Sequence, residues 1–315
     1  MESIDMPVAA IDIGTNSTNL LVVGDDGSTI RRVVDVTRLG SGVDRTGSLA
    51  SDAIDRTVAC LGRYATIIAD VGAGDVGRVP LRISASSACR DATNRDEFFE
   101  RVVNVFGRPP QLISGDDEAR LAYRGAVSGL QLDPMGHVVV DIGGGSTEFA
   151  YGDVELRHTH SIDVGAVRLT ERHLEHDPPR PEELLNAIGD VQDLFDDMIR
   201  AIPAMAGARQ LIGVAGTIVT AAAVEIGMTT FDSARVHGFR FERGAVEDVF
   251  RTLATEPLAD RVHNPGLPRE RADVIVGGLC VLVGLLRRWD ADEIVVSSRN
   301  ILDGMCAELL EESAR

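Results

Sequence analysis

The 315-residue chain contains no lysine: all 31 residues counted as Lys+Arg are arginines. That absence removes whole mechanisms. A Walker-type phosphate loop requires its Lys, a protein-kinase site requires one on its third strand, and Schiff-base chemistry requires an amine. Any phosphate bound here is held by arginine, backbone N–H groups, hydroxyls and metal. Positive charge is scarce overall. With 49 acidic residues and a formal net charge of −18, an extended nucleic-acid surface is not expected, because such binding needs clustered cations. A phosphate substrate gripped by metal and a few site arginines is compatible with that charge. Cys60, Cys89, Cys280 and Cys306 lie far apart with no C-x-x-C pair, mostly in apolar surroundings, and read as reduced core thiols. No G-x-S-x-G elbow occurs, which sets aside the nucleophilic serine of esterases. Long apolar runs are missing too. The longest, Val274 to Leu286, is too short to span a bilayer and reads as a buried helix between Arg271-Ala272-Asp273 and Arg287-Arg288. The opening Met1-Glu2-Ser3-Ile4-Asp5 is acidic where a signal peptide is basic. The expectation is a cytoplasmic protein with no membrane association.

What the chain does contain is a repeat. An apolar run ending in Asp-Ile-Gly occurs as Ile11-Asp12-Ile13-Gly14-Thr15-Asn16-Ser17-Thr18 and again as Val140-Asp141-Ile142-Gly143-Gly144-Gly145-Ser146-Thr147. A strand ending in Asp and turning through Gly, Ser and Thr presents a carboxylate beside free N–H groups and hydroxyls, which suits a metal-bound phosphate. Gly14, Thr15, Asn16 and Ser17 on one turn, and Gly143, Gly144, Gly145 and Ser146 on the other, are therefore the candidate phosphate cradle. Asp141 and Glu148 are the candidate Mg²⁺ carboxylates, with Asp12 on the opposite loop as a further one.

The order of elements also repeats. Strands at Val8–Ile13, Asn19–Val23 and Thr29–Val36 precede a helix from Ser51, whose apolar positions Ile54, Val58, Leu61, Ala65 and Ile68 recur at helical spacing. A strand at Leu81–Ser84, a helix at Arg95–Phe106, a strand at Gln111–Ile113 and a helix opening at Asp116 follow. The second half offers strands at His137–Asp141, Thr147–Tyr151 and Val154–Ile162, then helices at Ala166–His173 and after Pro181. Further strands at Gln210–Val214 and Glu293–Ser297 are interleaved with helices near Thr217–Ile226, Arg243–Leu253, Arg271–Arg288 and Ile301–Glu312. With 44% hydrophobic residues, a chain of this length can bury two cores. The boundaries expected are 1–125, with the last helix, 300–315, packing back on it, and 126–299.

A phosphate turn between the first two strands of each copy differs from a Rossmann unit, where the turn joins strand to helix. The arrangement resembles the actin-like, duplicated ribonuclease-H fold, an α/β architecture of two domains with ligand in the cleft between them. Within that superfamily, Ile83 to Asn94 and Ile113 to Gly125 resemble signature stretches of the exopolyphosphatase/guanosine pentaphosphate phosphohydrolase family. Val139–Phe149, Asp163–Leu169, Gly213–Thr217, His237-Gly238, Glu270–Asp273 and Ser297–Arg299 resemble family positions in order. The resemblance thus covers nearly the whole chain.

That resemblance implies a Mg²⁺-dependent exopolyphosphatase. The glutamate matching Glu118 is the family's catalytic one, whereas Asp116 and Asp117 read as first-turn carboxylates complementing the helix dipole. Arg90 is the candidate for neutralising the scissile phosphoryl group, since guanidinium matches phosphate oxygens bidentately. The chain is similar to the short, two-domain subgroup, for which short polyphosphate is the expected preference. Guanosine pentaphosphate, with the tetraphosphate as a related ligand, is the alternative substrate, and an alarmone or polyphosphate sensor with poor turnover is the non-enzymatic alternative. A kinase is disfavoured by the segments around Arg90 and Glu118. Gly213–Thr217 resembles the superfamily's adenosine-contacting loop, His158 and His160 read as surface residues, and a homodimer is the superfamily-level expectation.

Overall fold

Strand β1 (Val8–Ile13) is buried at every position, Asp12 included. A run buried on both faces requires a sheet covered on both sides. The computed structural model describes residues 7–72 and 74–314, and their contacts divide the chain into two units, Met1–Leu121 with Ile301–Arg315, and Ala122–Asn300.

The first unit continues with β2 (Ser17–Val23), β3 (Thr29–Val36), α1 (Val43–Thr46), α2 (Ser51–Val71), β4 (Leu81–Ala85), α3 (Ser87–Asp91), α4 (Arg95–Phe106), β5 (Gln111–Leu112) and the start of α5 (Gly115–Ala126). Its sheet runs β3-β2-β1-β4-β5. The first three strands are antiparallel, and β4 and β5 extend the sheet in parallel with β1. Alternation along β1 serves two cores. Ala9, Ile11 and Ile13 join Ile54, Leu61, Tyr64 and Ile68 of α2 and Phe98 and Val102 of α4; Val8 and Ala10 face the opposite way.

The second unit holds β6 (His137–Ile142), β7 (Thr147–Gly152), β8 (Leu156–Ile162), α6 (Ala166–His173), α7 (Pro181–Ala201), β9 (Gln210–Val214) and α8 (Ala215–Ile226). It continues with α9 (Ser233–Val236), β10 (Phe239–Glu242), α10 (Arg243–Thr255), α11 (Leu258–Arg261), α12 (Ile275–Arg288) and β11 (Glu293–Val296). Its sheet order is β10-β11-β9-β6-β7-β8, again with an antiparallel trio and a parallel neighbour to the first strand. Every residue of α12 from Ile275 to Leu286 is buried, as its unbroken apolar run requires. The closing helix α13 (Ile301–Ser313) belongs to the first unit, where Ile301, Leu302, Met305, Cys306 and Leu309 cover Val8, Ala10, Leu21 and Val23. This is the duplicated ribonuclease-H-like α/β fold. No helix among the described residues is long and apolar enough to cross a membrane.

Several boundaries differ from the sequence expectation for local reasons. Strand β2 starts at Ser17, because the turn closes in two residues fewer. Strand β8 starts at Leu156 rather than Val154, because the Asp153 carboxylate accepts from the backbone N–H of Val154 and Glu155 and shapes a turn there. Helix α12 starts at Ile275, after a separate 3₁₀ turn at Arg269–Arg271. The four- and five-residue helices α1, α3, α9 and α11 are too short to register as periodicity.

Candidate active site

The first repeat turn closes with the Gly14 N–H donating to the Ser17 carbonyl at 3.0 Å. Behind it runs the segment after β3. The Arg38 N–H donates to the Asn16 carbonyl and the Gly40 N–H to the Thr15 carbonyl, both at 2.9 Å. A trans peptide points its N–H opposite to its carbonyl, so these two bonds aim the N–H groups of Asn16 and Ser17 away from the clamp. Gly40 has to be glycine here, since a Cβ would collide with Thr15 and Ala88. Strand β2 is braced from below by Tyr64, whose hydroxyl donates to the Thr18 carbonyl at 2.7 Å, and by a 2.9 Å hydroxyl pair between Thr18 and Thr37.

Asp12, just before this turn, is only 8% exposed. It lies in register with Ser84 on β4, whose hydroxyl donates to its Oδ1 at 2.9 Å. Burial, and secondarily the nearby Glu118 carboxylate, push its pKa up to about 7, against hydrogen bonds from Ser84 and Asn19 that favour the anion. Glu118 stands in the first turn of α5. Ser114 precedes that helix as its cap, accepting from the Asp117 N–H at 3.1 Å and donating to the Asp117 carboxylate at 2.7 Å. Arg90, delivered by α3 directly after β4, donates from Nη1 to Glu118 Oε2 at 2.9 Å and to the Ile113 carbonyl at 3.1 Å. The side chains of Arg90 and Glu118 are 22% and 13% exposed. Burial raises the Glu118 pKa, and Arg90 and the Ser86 hydroxyl work against that rise. The first unit therefore gathers two carboxylates, one guanidinium and two serines at the C-terminal ends of β1 and β4. Such an arrangement can hold and release a proton, and can exchange its internal ion pair for an anionic ligand.

The second turn closes identically, Gly143 N–H to Ser146 carbonyl at 3.0 Å. Its clamp is the first turn of α6. The N–H groups of Ala166 and Val167 donate to the Gly143 and Gly144 carbonyls at 2.9 and 2.8 Å, and Arg168 Nε donates to the Gly145 carbonyl at 2.7 Å. Three consecutive carbonyls are thereby turned back, which aims the N–H groups of Gly144, Gly145 and Ser146 the other way. Gly165 lets α6 come this close, since a Cβ there would strike Gly143 and Gly144. Asp141 stands directly opposite Glu148 across β6 and β7, and both are buried, at 8% and 1% exposure. Opposed residues project from the same face, so two carboxylates share one small region. Glu148 also accepts from the Ser161 hydroxyl at 2.8 Å.

Other groups singled out from the sequence stand elsewhere in the second unit. In the Gly213–Thr217 loop, Ala215 adopts a left-handed φ of 66°, and the Arg271 guanidinium packs so closely on Gly216 that no side chain fits there. His158 stacks on Tyr151 at the exposed edge strand β8. Among the described residues the one trio of candidate ligand atoms within 4.8 Å is Glu175, His176 and Glu183. Glu183 is there a helix cap, accepting from the Arg180 N–H at 2.9 Å.

The description "Ppx/GppA phosphatase family" fits a family model that matches residues 21–313. The chain belongs to that family. Across 319 aligned residues this Ppx/GppA chain is 38% identical to Exopolyphosphatase 2 of Mycobacterium tuberculosis, covering 96% of this chain and 98% of that protein. Identity to the guanosine-5'-triphosphate,3'-diphosphate pyrophosphatase of Vibrio cholerae is 27% over 312 residues, and the match covers 96% of this chain but 59% of that protein. A solved exopolyphosphatase-like protein superposes with a TM-score of 0.90 at 32% identity, covering 98% of this chain and 100% of its own. Residues of this arrangement for which sequence alone indicates no role are Ser84, Ser86, Asn19 and Gly40. Ser84 and Ser86 lie within the Ile83–Asn94 signature stretch; Asn19 and Gly40 carry no pattern of their own.

Proposed function

We propose that the chain is an exopolyphosphatase that hydrolyses the terminal phosphoanhydride of inorganic polyphosphate. The observation carrying this reading is the Arg90–Glu118 pair, half-buried near Asp12 at the first repeat turn. Glu118 is the base: its carboxylate takes a proton from a water whose oxygen attacks the terminal phosphorus. The bridging P–O bond breaks, its electron pair leaves on the shortened polyphosphate, and orthophosphate is the second product. Arg90 moves its hydrogen bonds from Glu118 to the equatorial oxygens as negative charge builds there, in the position a bidentate guanidinium serves best. The backbone N–H groups of Asn16 and Ser17 in one unit, and of Gly144, Gly145 and Ser146 in the other, are the ones turned outward to hold phosphate oxygens; those of Gly14 and Gly143 are spent closing the turns.

The donor set fits a hard divalent cation. Two buried carboxylates facing each other across a strand pair repel unless a cation lies with them, so Asp141 and Glu148 are the residues that would hold Mg²⁺. Bound Mg²⁺ would supply charge neutralisation at the phosphate oxygens. The 38% identity to an exopolyphosphatase over nearly its whole length, against 27% and 59% coverage for the guanosine pyrophosphatase, supports polyphosphate as the substrate.

The test is Mg²⁺-dependent phosphate release from short and medium-chain polyphosphate and from guanosine pentaphosphate in parallel, for wild type and Glu118→Gln. Faster release from polyphosphate, abolished by the substitution, is expected. Faster release from the nucleotide would move the assignment to it, and tight binding of either without turnover would make the protein a sensor.

A further inference from the structure

The clamp behind the second turn contains one side chain. Arg168 stands in the first turn of α6, and its Nε–H donates to the carbonyl of buried Gly145 at 2.7 Å. The two preceding carbonyls, of Gly143 and Gly144, are held by backbone N–H groups of Ala166 and Val167, with the Arg168 N–H also reaching Gly144 at 3.1 Å. Backbone bonds come with the helix whatever its sequence. The third peptide, Gly145–Ser146, is fixed by a side chain alone, and it follows two glycines whose φ is sterically unrestricted. If that carbonyl turned, the N–H of Ser146 would turn with it, because the peptide unit is planar.

We infer that Arg168 is a positioning residue for phosphate binding: by holding the Gly145 carbonyl it aims the Ser146 N–H, completing a cradle of three N–H donors for a phosphoryl group. The inference rests on the reading of this turn as a phosphate cradle. The group that reaches the Gly145 carbonyl is the Arg168 Nε–H, a hydrogen-bond donor. At the first turn the two clamped carbonyls, of Thr15 and Asn16, are held by backbone N–H groups.

Arginine offers an atom-by-atom test. Glutamine places an N–H donor the same number of bonds from Cα as arginine Nε, without the cation; methionine places a methyl group there, without a donor. Binding of tripolyphosphate to Glu118→Gln protein, measured by calorimetry with Mg²⁺, is compared with and without Arg168→Met or Arg168→Gln, alongside steady-state kinetics of the single variants. Arg168→Met is expected to weaken binding and raise KM about tenfold, as loss of one hydrogen bond implies, with the loss in KM rather than kcat. Arg168→Gln is expected to recover most of it. Hydrogen exchange on wild type supplies a readout independent of variant folding: tripolyphosphate should protect the N–H groups of Gly144, Gly145 and Ser146. Unchanged binding by Arg168→Met, a glutamine variant as weak as the methionine one, or no protection of those N–H groups would overturn the inference. Wild type that binds tripolyphosphate without hydrolysing it would sink the exopolyphosphatase reading alone, while the Arg168 comparison is still read from binding.

Discussion

Asp12 and Asp141 occupy the same place in two copies of one topology, and their neighbours set them in different surroundings. Across the antiparallel pair, Asp12 faces Asn19 and Asp141 faces Glu148; across the parallel pair, Asp12 faces Ser84 and Asp141 faces Val214. The first aspartate has neutral hydrogen-bonding groups opposite it in the sheet, with Glu118 and Arg90 nearby, and burial lifts its pKa to about 7. The second is set directly against another acid. A buried carboxylate with neutral strand partners relieves its desolvation by taking up a proton, whereas a directly opposed pair relieves its repulsion by taking up a cation. The two copies thus share the turn and differ in the residues beside it, with the proposed proton chemistry in one and the proposed metal site in the other.

The largest effect that breaks this contrast is expected on the proton side. Arg90→Met should lower the rate at pH 7 at least about a hundredfold. Because Arg90 holds the Glu118 pKa down, its loss should also move the acidic limb of the kcat/KM profile to higher pH. A limb that stays in place would mean Arg90 does not govern the charge on Glu118. Next in size, Glu148→Asn copies the first unit's neighbour into the second. The Mg²⁺ concentration for half-maximal activity should rise at least about tenfold, and an unchanged Mg²⁺ titration would remove Glu148 from the metal site.

Asp12→Asn should stabilise the protein. The folded pKa of about 7 stands above the reference value of 3.8, so the folded state binds the proton more tightly, and stability falls as pH rises between those values. The full shift corresponds to at most about 4 kcal/mol. In EDTA the variant should melt several degrees above wild type at pH 8, with the gap closing as the pH falls below 5; a gap independent of pH would disprove the titration. The smallest effect is expected from Gly40→Ala, which pushes the clamp off the first turn. It should destabilise by about 1–3 kcal/mol and raise KM several-fold. Gly62→Ala on α2, with open space around its position, is the control and should be neutral or slightly stabilising.

The strands, the long helices and both turns were legible because each rests on contiguous residues. The α2 face from Ile54 to Ile68 and the Asp-Ile-Gly repeats are local patterns, and the core at Ile54, Leu61 and Ile68 follows from them. Glu118 and Arg90 were legible only through family resemblance; their 2.9 Å pairing depends on α3, a helix too short to leave a periodic trace. Of the register partners that separate Asp12 from Asp141, Glu148 was named from the sequence as a candidate metal carboxylate, whereas Asn19 and the pairing itself were not legible. Asn19 and Glu148 acquire their meaning from standing opposite an aspartate, which strand pairing decides. The clamps at Arg38–Gly40 and Gly165–Arg168 were hidden for the same reason, since their donors meet carbonyls about twenty residues away.

All four thiols are buried, and burial pushes their pKa values up, to about 11 for Cys60 and about 12 for Cys89, Cys280 and Cys306. A thiol-specific label at neutral pH therefore finds nothing to react with until the surrounding structure opens. Cys60, Cys89 and Cys306 belong to the first unit and Cys280 to the second. The order in which peptides bearing them become alkylated would report, without any engineered probe, which copy of the fold opens first.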